Sequence, residues 1–475
     1  AAQARRCRGR ARRAARAALL AGAAPLQAGG CSTWFLPPAP PLHATDLNGI
    51  VLPDVCFNTT GSSQHVFIIG DWGGLLDQGR LQPADRRSKA FKEYHRDFLD
   101  GVDDQAQLLV AEQMKIRAPK SKPDYVLNVG DNFYWGGINA SCGSPVFSHN
   151  SGSDSQWVPI YEEVYTGEGL DYKQWLGILG NHDYGGWQFN MAWDQVIQYT
   201  WGGPKSTGRW VTPAQYWKAR VHYSDFSVDY LFVDSNVFNA WEPHYDMEHN
   251  LCGLEHNVQG ATCGPMGPTS VYDCPNWFKK LWNDQVEWME THLRNSDATW
   301  QVVVTHFPPL FGKKEWTRLA KKYGIDLIVS GHRHMQEVHS PEEETNFLKP
   351  TTWVVSGGGG GITSEGTPTP SGDDDAYGFM DIELAKDAIM IEAISHSGLV
   401  RHRTKVQQVP PQPDYDEQAD DNDGSSDDFG QLLAAAAGQD VRHKGGGIHH
   451  GHGAKSGHAA GHGSDHKDSE DLNVI

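Results

Sequence analysis

The sequence lacks a long apolar run and has little positive charge. None of its apolar runs reaches the roughly 18 residues that a membrane-spanning helix needs. Lysine and arginine together number 40 against 59 aspartates and glutamates, and the formal net charge is −19. A nucleic-acid-binding protein needs a basic face to neutralise phosphates. The composition therefore predicts neither a membrane span nor a nucleic-acid partner.

Cysteine is also scarce, and its spacing matches no zinc ribbon. Of the 7 cysteines, Cys252, Cys263 and Cys274 share one loop-like region. Disulfides in an oxidising compartment are therefore the favoured use of these residues. The odd number leaves one thiol unassigned, or lets Cys31 join the pairing if processing leaves it in the chain.

Composition divides the chain into four parts. Residues 1–31 are arginine-rich and then apolar, which resembles a leader or targeting segment; a disordered basic arm is the alternative. Residues 32–63 form an N-terminal extension, and residues 64–407 form the ordered domain that carries the motifs below. Residues 408–475 are acidic and then rich in glycine and histidine, so we expect a disordered tail, whose histidines could bind metal loosely.

The ordered domain alternates apolar runs with helical periodicity. Helical patterns cover Phe91–Ile116, "NDQVEWMETHLRNS" and "EWTRLAKKYG". The strand-like runs are "HVFIIGDWGG", "YVLNVGD", "WLGILGNHD", "DYLFVDS", "WQVVVTHFP", "DLIVSGHRH" and "TWVVSGGGGG". Such alternation is typical of an α/β domain with strands buried on both faces. The late runs "YGFMDIEL" and "AIMIEAIS" look like hairpin strands and predict a mixed sheet.

Polar side chains follow five of these apolar runs, at the point where each run ends. The endings are Gly70-Asp71, Gly130-Asp131-Asn132-Phe133-Tyr134, Gly180-Asn181-His182-Asp183, Thr305-His306 and Gly331-His332-Arg333-His334. Each ending alone has an ordinary structural explanation, such as a helix cap at Asp71 or a turn at Asn181. Ligands of open α/β sheets, however, bind beyond the carboxyl ends of the strands. We therefore expect these side chains to converge on one crevice.

The converging donors would be two carboxylates, an amide oxygen, three imidazoles and a phenol. Such a collection is electrostatically unfavourable unless cations occupy the crevice. Two metal ions that share one bridging carboxylate would resolve the conflict. A pair of ions about 3.5–4 Å apart is a standard arrangement for phosphate-ester hydrolysis. The residues therefore predict a two-metal hydrolytic site.

The five endings, in this order, resemble the motifs of the calcineurin-like metallophosphoesterases. The wider forms "GDWGG", "GDNFYWGG" and "GNHDYGG" look more specifically like the small purple (tartrate-resistant) acid phosphatases. The resemblance runs from about Val66 to Val406. It implies an α/β (α+β) metallophosphoesterase fold, with mixed β-sheets packed as a sandwich, helices flanking them, and the site at the C-terminal ends of the strands.

The resemblance also implies a set of metal ligands. They are Asp71, Tyr134 and His334 for a ferric ion, Asn181, His306 and His332 for a divalent ion (iron, zinc or manganese), and Asp131 as the bridge between the two. Tyr134 is the discriminating residue, because an anionic, hard oxygen donor suits Fe(III) far better than a divalent ion.

The implied activity is that of an acid phosphatase, which hydrolyses phosphate monoesters by attack of a metal-bound hydroxide at an Fe(III)–M(II) centre. Asn181 and His182 would contact the phosphate, and His182 would help to protonate the leaving group. One alternative is a phosphodiesterase or nucleotide phosphatase with two divalent metals. Another is a non-enzymatic protein that binds metal or phosphate at its surface.

The expected partners are small phosphate-ester substrates or phosphoproteins, and the expected state is a monomer. Glycosylation sequons begin at Asn58 and Asn139. Together with the leader-like segment, they predict a glycoprotein that is secreted or reaches a vacuole or lysosome through the secretory pathway.

Three features depart from the family pattern. A further substrate-side histidine normally follows the His306 motif, whereas this chain has "FPPLFGKKEW", in which Lys313 or Lys314 could supply positive charge. Arg333 stands where aspartate is common, and we expect its side chain to point away from the metals. The cysteine-containing insertion after "LFVDSNVF" either borders the mouth of the crevice or is a purely structural disulfide loop.

Overall fold

The computed structural model describes residues 31–57, 64–77, 79–84, 96–143, 156–203, 205–245 and 250–415. All of these residues belong to one compact unit. The predicted leader, apart from Cys31, and most of the predicted tail lie outside the described residues, as does the sequon at Asn58. Among the described residues, no helix is both long and apolar enough to cross a membrane.

The described residues contain short strands, four α-helices and several short 3₁₀- or π-helical segments. The strands are β1 (Ile50–Val51), β2 (Val55–Cys56), β3 (Gln64–Ile69), β4 (Leu75–Asp77), β5 (Arg80–Gln82), β6 (Tyr125–Asn128), β7 (Trp175–Gly177), β8 (Trp210–Val211), β9 (Trp217–His222), β10 (Ser227–Val233), β11 (Trp300–Thr305), β12 (Leu327–Ser330), β13 (Gln336–His339), β14 (Thr352–Ser356), β15 (Gly378–Leu384), β16 (Ile389–Ser395) and β17 (Val400–Val406). The helices are α1 (Ala106–Ser121), α2 (Trp193–Gln198), α3 (Cys274–Arg294) and α4 (Lys313–Tyr323).

Two mixed sheets form a sandwich. The 8-stranded sheet has the order β1-β9-β10-β11-β12-β14-β13, with β2 also paired to β9, and the 7-stranded sheet has the order β17-β16-β15-β3-β6-β7-β8. β4 and β5 form a separate two-stranded ribbon. The predicted fold class, mixed sheets packed as a sandwich with flanking helices, is confirmed.

The alternation of side chains along each strand explains how the layers pack. In β3, Val66 and Ile68 face the other sheet, where they meet Val302 of β11 in one buried cluster. The intervening Phe67 packs in a second cluster with Met114 of α1. Because successive side chains point to opposite faces, an almost continuously apolar strand can serve both layers.

The outer face of the 8-stranded sheet is covered in the same way. Val303 of β11 packs with Met289 of α3 and Trp316 of α4 in a third buried cluster. Both helices lie where the sequence predicts them, although α3 begins nine residues earlier than the pattern that starts at Asn283. The helices therefore enclose the sandwich, and the strand ends are left for the connecting loops.

The helix predicted over Phe91–Ile116 begins at Ala106 within the described residues, and residues 91–95 lie outside them. Before it, the carboxylate oxygens of Asp103 each accept a hydrogen bond of 2.8 Å from the Arg96 guanidinium, and one also accepts the Leu99 amide at 2.6 Å. A carboxylate that bonds nearby backbone and side-chain donors competes with helical hydrogen bonding. The described residues before α1 form a loop that ends in one 3₁₀ turn, Asp103–Gln105, and these contacts hold it in place.

The N-terminal extension is part of the sandwich. β1 and β2 each pair with β9 in parallel. The buried Phe35 exchanges backbone hydrogen bonds of 2.7 and 3.0 Å with the Gln174 side chain. A disulfide joins Cys31 to Cys56. Cys31, which the composition assigns to the leader, therefore belongs to the folded body.

The C-terminal boundary also shifts, by a few residues. The amide of Val409 donates a hydrogen bond of 2.6 Å to the buried carboxylate of Asp326. The amide of Gln412 donates to the Lys321 carbonyl at 3.0 Å. The first residues of the predicted tail thus pack on the domain because they satisfy a buried acceptor.

Two further disulfides fasten the insertion. One joins Cys142 to Cys263 and the other joins Cys252 to Cys274. The prediction of disulfides is confirmed for the six described cysteines, while Cys7 lies outside the described residues.

Candidate metal centre

The five polar strand ends meet at one edge of the sandwich. β3, β6 and β7 are neighbours in one sheet, and β11 and β12 are neighbours in the other. The amide of Asp71 donates to the Gly130 carbonyl at 3.0 Å, which joins two loops of the first sheet. His306 Nδ1 lies 2.8 Å from the Val129 carbonyl oxygen, which joins the two sheets. The site therefore takes its side chains from both layers.

One half of the site contains two carboxylates, a phenol and an imidazole. The Tyr134 hydroxyl lies 3.0 Å from Asp71 Oδ1 and 3.0 Å from Asp131 Oδ2. His334 Nε2 lies 3.6 Å from Asp71 Oδ1. All four side chains are buried. These are the predicted ferric-ion ligands together with the predicted bridge.

The other half contains an amide and two imidazoles. Asn181 Oδ1 lies 3.1 Å from His306 Nε2 and 3.2 Å from His332 Nδ1. His306 Nε2 lies 3.4 Å from Asp131 Oδ2. Asp131 therefore borders both halves, and the structure brings all seven predicted ligands together.

The donor set fits a pair of metal ions. One ligand atom each from Asp71, Asp131 and His306 lies within 4.8 Å of the others. Carboxylate and phenol oxygens suit hard ions, while imidazole suits iron and zinc. The first half is richer in anionic oxygen, and the second half is richer in neutral donors. The two halves therefore offer donors of different charge.

Backbone strain marks three of these residues. Asp71, Asp131 and His332 have φ values of 57°, 52° and 68°. Residues with a side chain are uncommon in this left-handed region, and such strain clusters at functional sites. At His332 the turn also explains how His332 and His334, two residues apart, both reach one crevice.

Burial and charge together explain the acid–base state of the site. Burial raises the pKa of Asp71 well above its ordinary value, and the adjacent Asp131 adds to the effect while His306 opposes it. Burial also acts to raise the pKa of Asp131, but the positive charges of His306 and His182 lower it below its ordinary value. Burial acts to lower the pKa of His306, and Asp131 raises it to about 9. The carboxylates thus need positive charge beside them.

His182 lies beside the first half of the site. Its amide donates a hydrogen bond of 2.9 Å to Asp131 Oδ1, and its Nδ1 lies 2.5 Å from the Trp135 carbonyl oxygen. The imidazole ring centre is 4.5 Å from the ring centre of Tyr134. Hydrogen bonding at Nδ1 fixes the ring orientation.

Asp183 positions the loops, a role that the sequence motif did not reveal. Its carboxylate accepts hydrogen bonds from the amide of Gly180 at 2.8 Å and from the amide and side chain of Asn132 at 3.0 and 2.9 Å. Burial, with the charge of Asp131, raises its pKa to about 8. Asp183 therefore ties the loop that carries Asp131 to the loop that carries Asn181.

The segment that follows His306 places two aromatic rings beside His332. The rings of Phe307 and Phe311 lie 4.0 and 5.4 Å from the ring of His332. Lys313 places its ammonium over the Phe347 ring at 4.9 Å. Arg333 forms an ion pair of 3.1 Å with Glu337. The ammonium of Lys313 is thus engaged outside the cluster of predicted ligands.

Comparison with known sequences gives a consistent set of relatives. The family model described as calcineurin-like phosphoesterase matches residues 65–336. Purple acid phosphatase 7 of Arabidopsis thaliana is 25% identical over 321 residues, which are 63% of this chain and 81% of the relative. Human tartrate-resistant acid phosphatase type 5 is 22% identical over 382 residues, which are 76% of this chain and 95% of the relative.

Comparison with solved structures gives alignments that cover most of this chain. GAP50, the anchor in the inner membrane complex of Plasmodium, aligns with a TM-score of 0.46 at 17% identity, over 79% of this chain and 95% of its own. A purple acid phosphatase from yellow lupin seeds aligns with a TM-score of 0.39 at 13% identity, over 75% of this chain and 56% of its own.

Gly180 packs so closely against Asp131 that no side chain fits at this position. A Cβ at this position would collide with Oδ1 and the amide nitrogen of Asp131. Gly180→Ala should therefore displace Asp131 and lower metal affinity about 10- to 100-fold, as loss of a residue that orients a ligand does. Metal content after dialysis, measured by inductively coupled plasma mass spectrometry, checks this.

Gly366→Ala is the matched control, because a Cβ there meets nothing within 4 Å. It should bind metal as the unchanged protein does. Equal metal content in the Gly180 and Gly366 variants would contradict the placement of Asp131 at the centre.

Proposed function

The chain belongs to the calcineurin-like phosphoesterase family, and on that premise we propose that it is an acid phosphatase that hydrolyses phosphate monoesters with an Fe(III)–M(II) centre. Family membership, with purple acid phosphatases among the relatives, implies a dinuclear metal centre. The position of the Tyr134 hydroxyl, 3.0 Å from an oxygen of Asp71 and of Asp131, carries the proposal.

Asp71, Tyr134 and His334 would hold the ferric ion, and Asn181, His306 and His332 the divalent iron, zinc or manganese, with Asp131 between them. When bound, the two ions supply an activated water and neutralise charge on the phosphoryl group. The carboxylates and the phenol would balance the charge of the ions. The hydrogen bonds of Asp183 fix the loop that carries Asp131 relative to the loop that carries Asn181.

Among the chain's own groups, His182 is our proposed proton donor. It borders Tyr134 and Asp131, where the phosphate of a substrate would lie, and its orientation is fixed at Nδ1 by the Trp135 carbonyl. A protonated Nε2 can then donate to the oxygen of the departing alcohol. Asn181 would contact the phosphate from the other side. The substrates would be small phosphate esters or phosphoproteins.

The compartment that we propose is secretory, with release from the cell or delivery to a vacuole or lysosome. Three disulfides among the described residues support it, because disulfides persist in oxidising compartments. Expression of the full chain in eukaryotic cells, with a mobility shift on enzymatic deglycosylation, tests the route. An unshifted protein confined to the cytosol would contradict it.

The ferric assignment predicts colour. Tyrosinate bound to Fe(III) gives a visible charge-transfer band, so the purified iron-loaded protein should absorb in the visible and hydrolyse p-nitrophenyl phosphate. Tyr134→Phe should abolish the band, whereas Tyr161→Phe, a change at another buried tyrosine, should keep it. Absorption spectra of the three proteins check this.

A colourless but active protein would refute the ferric ion and leave a two-divalent-metal phosphodiesterase or nucleotide phosphatase as the alternative. If the His306→Ala variant and the Asp131→Ala variant both hydrolysed the substrate at the rate of the unchanged protein, the two-metal site itself would be refuted.

The proton-donor role predicts an effect that depends on the leaving group. His182→Ala should lower kcat about 100-fold or more for an alkyl phosphate, whose alkoxide needs a proton, and much less for p-nitrophenyl phosphate. His402→Ala, at a partly exposed histidine that pairs with Asp375, should change neither rate. An equal loss on both substrates would show that His182 does not protonate the leaving group.

A further inference from the structure

Three aromatic rings extend outward from His182. The Trp135 ring centre is 5.7 Å from the His182 ring centre, and Trp187 stacks on Trp135 at 5.6 Å with an interplanar angle of 22°. His256 lies against Trp187 at 5.4 Å and 34°. We call Trp135, Trp187 and His256 the aromatic stack. All three side chains are partly exposed, so the stack is a surface rather than part of the core.

The aromatic stack borders the site on the His182 side. Trp135 also contacts the Tyr134 ring, at 6.1 Å, and Trp187 lies 6.4 Å from the His182 ring. Because His182 is the proposed donor to the departing alcohol, a leaving group attached at that oxygen would extend over these two tryptophans.

The insertion holds the outer end of the aromatic stack in place. The Asn257 side chain donates to the Trp187 carbonyl at 3.2 Å and accepts from the Phe189 amide at 3.3 Å. The Cys252–Cys274 and Cys142–Cys263 disulfides fasten the segment that carries His256 and Asn257. A rigid, pre-organised surface costs a ligand little conformational entropy. The insertion therefore both carries disulfides and borders the site.

We propose that the aromatic stack selects phosphate esters whose leaving group carries an aromatic ring no more than one carbon from the ester oxygen, as in a phosphorylated tyrosine side chain or a benzyl ester. The inference rests on the proposed phosphatase activity and specifies its substrate class. In such an ester the ring lies within one carbon of the leaving-group oxygen, on the side of His182, whereas the base of a nucleotide lies beyond its ribose. The close approach of Trp135 and Trp187 to His182 favours the first arrangement.

The reaction balances as an ordinary hydrolysis. The oxygen of water forms a new bond to phosphorus, the ester P–O bond breaks, and the aromatic alcohol leaves with one proton. The aromatic stack takes no part in these bond changes. It contributes ring contacts to the leaving group, which raise kcat/KM for aromatic esters.

Benzyl phosphate and cyclohexylmethyl phosphate form a matched pair of probes, because both leaving groups are primary alcohols of similar size and only one is aromatic. The metal-loaded full chain should hydrolyse the benzyl ester with a kcat/KM about 2- to 10-fold higher, the range expected for one aromatic contact. Trp187→Ala should bring the ratio close to one, and Trp187→Phe should keep most of the preference. Trp187 is the residue to change, since the Trp135 carbonyl orients His182.

The control is Tyr272→Ala, which removes an aromatic ring, 65% exposed, elsewhere on the insertion and should leave the ratio unchanged. Inhibition constants of benzylphosphonate and cyclohexylmethylphosphonate give a second measure that does not depend on leaving-group chemistry. Two results would overturn the proposed role of the aromatic stack and leave the phosphatase activity standing: a benzyl-to-cyclohexylmethyl ratio near one in the unchanged protein, or a ratio that stays high in a folded Trp187→Ala variant. If the protein hydrolyses neither of the two esters nor p-nitrophenyl phosphate, both the proposed phosphatase activity and this inference are overturned.

Discussion

The buried carboxylate of Asp131 is the constraint on which the rest of the site depends. It lies 3.0 Å from the Tyr134 hydroxyl and 3.4 Å from His306, and it accepts the His182 amide at 2.9 Å. A buried charge is costly unless it is paired and hydrogen-bonded. Burial of this one carboxylate explains three features of the site. They are the loops that surround it, the strained backbone at Asp131 itself and the glycine at position 180.

A large part of the fold and of the site was predictable from the sequence. The apolar runs predicted the central strands because strands buried on both faces need few polar residues. The strand ends predicted that Asp71, Asp131 and His306 come together, since the ends of neighbouring strands share one edge. The family pattern then assigned roles that distances do not assign, and those roles remain proposals.

Other features could not be predicted from the sequence, because they depend on contacts between distant segments. Asp183 follows a strand end like its neighbours, yet its function is to join two loops through Asn132 and Gly180. The late start of α1 depends on how Asp103 binds Arg96. The approach of His256 to Trp187 depends on two disulfides whose pairing an odd number of cysteines left open. Local periodicity contains none of this information.

The order of strands in the 7-stranded sheet has a consequence for the time at which the site can form. β3, which presents Asp71, lies between β6 and β15, and β15 begins only at Gly378. A chain made from its N-terminus cannot complete this sheet until most of the domain has been synthesised, and pairings this distant in sequence form slowly. Metal loading at the proposed ligands Asp71 and Asp131 would therefore follow synthesis, and the ions present in the compartment where folding is completed would govern it.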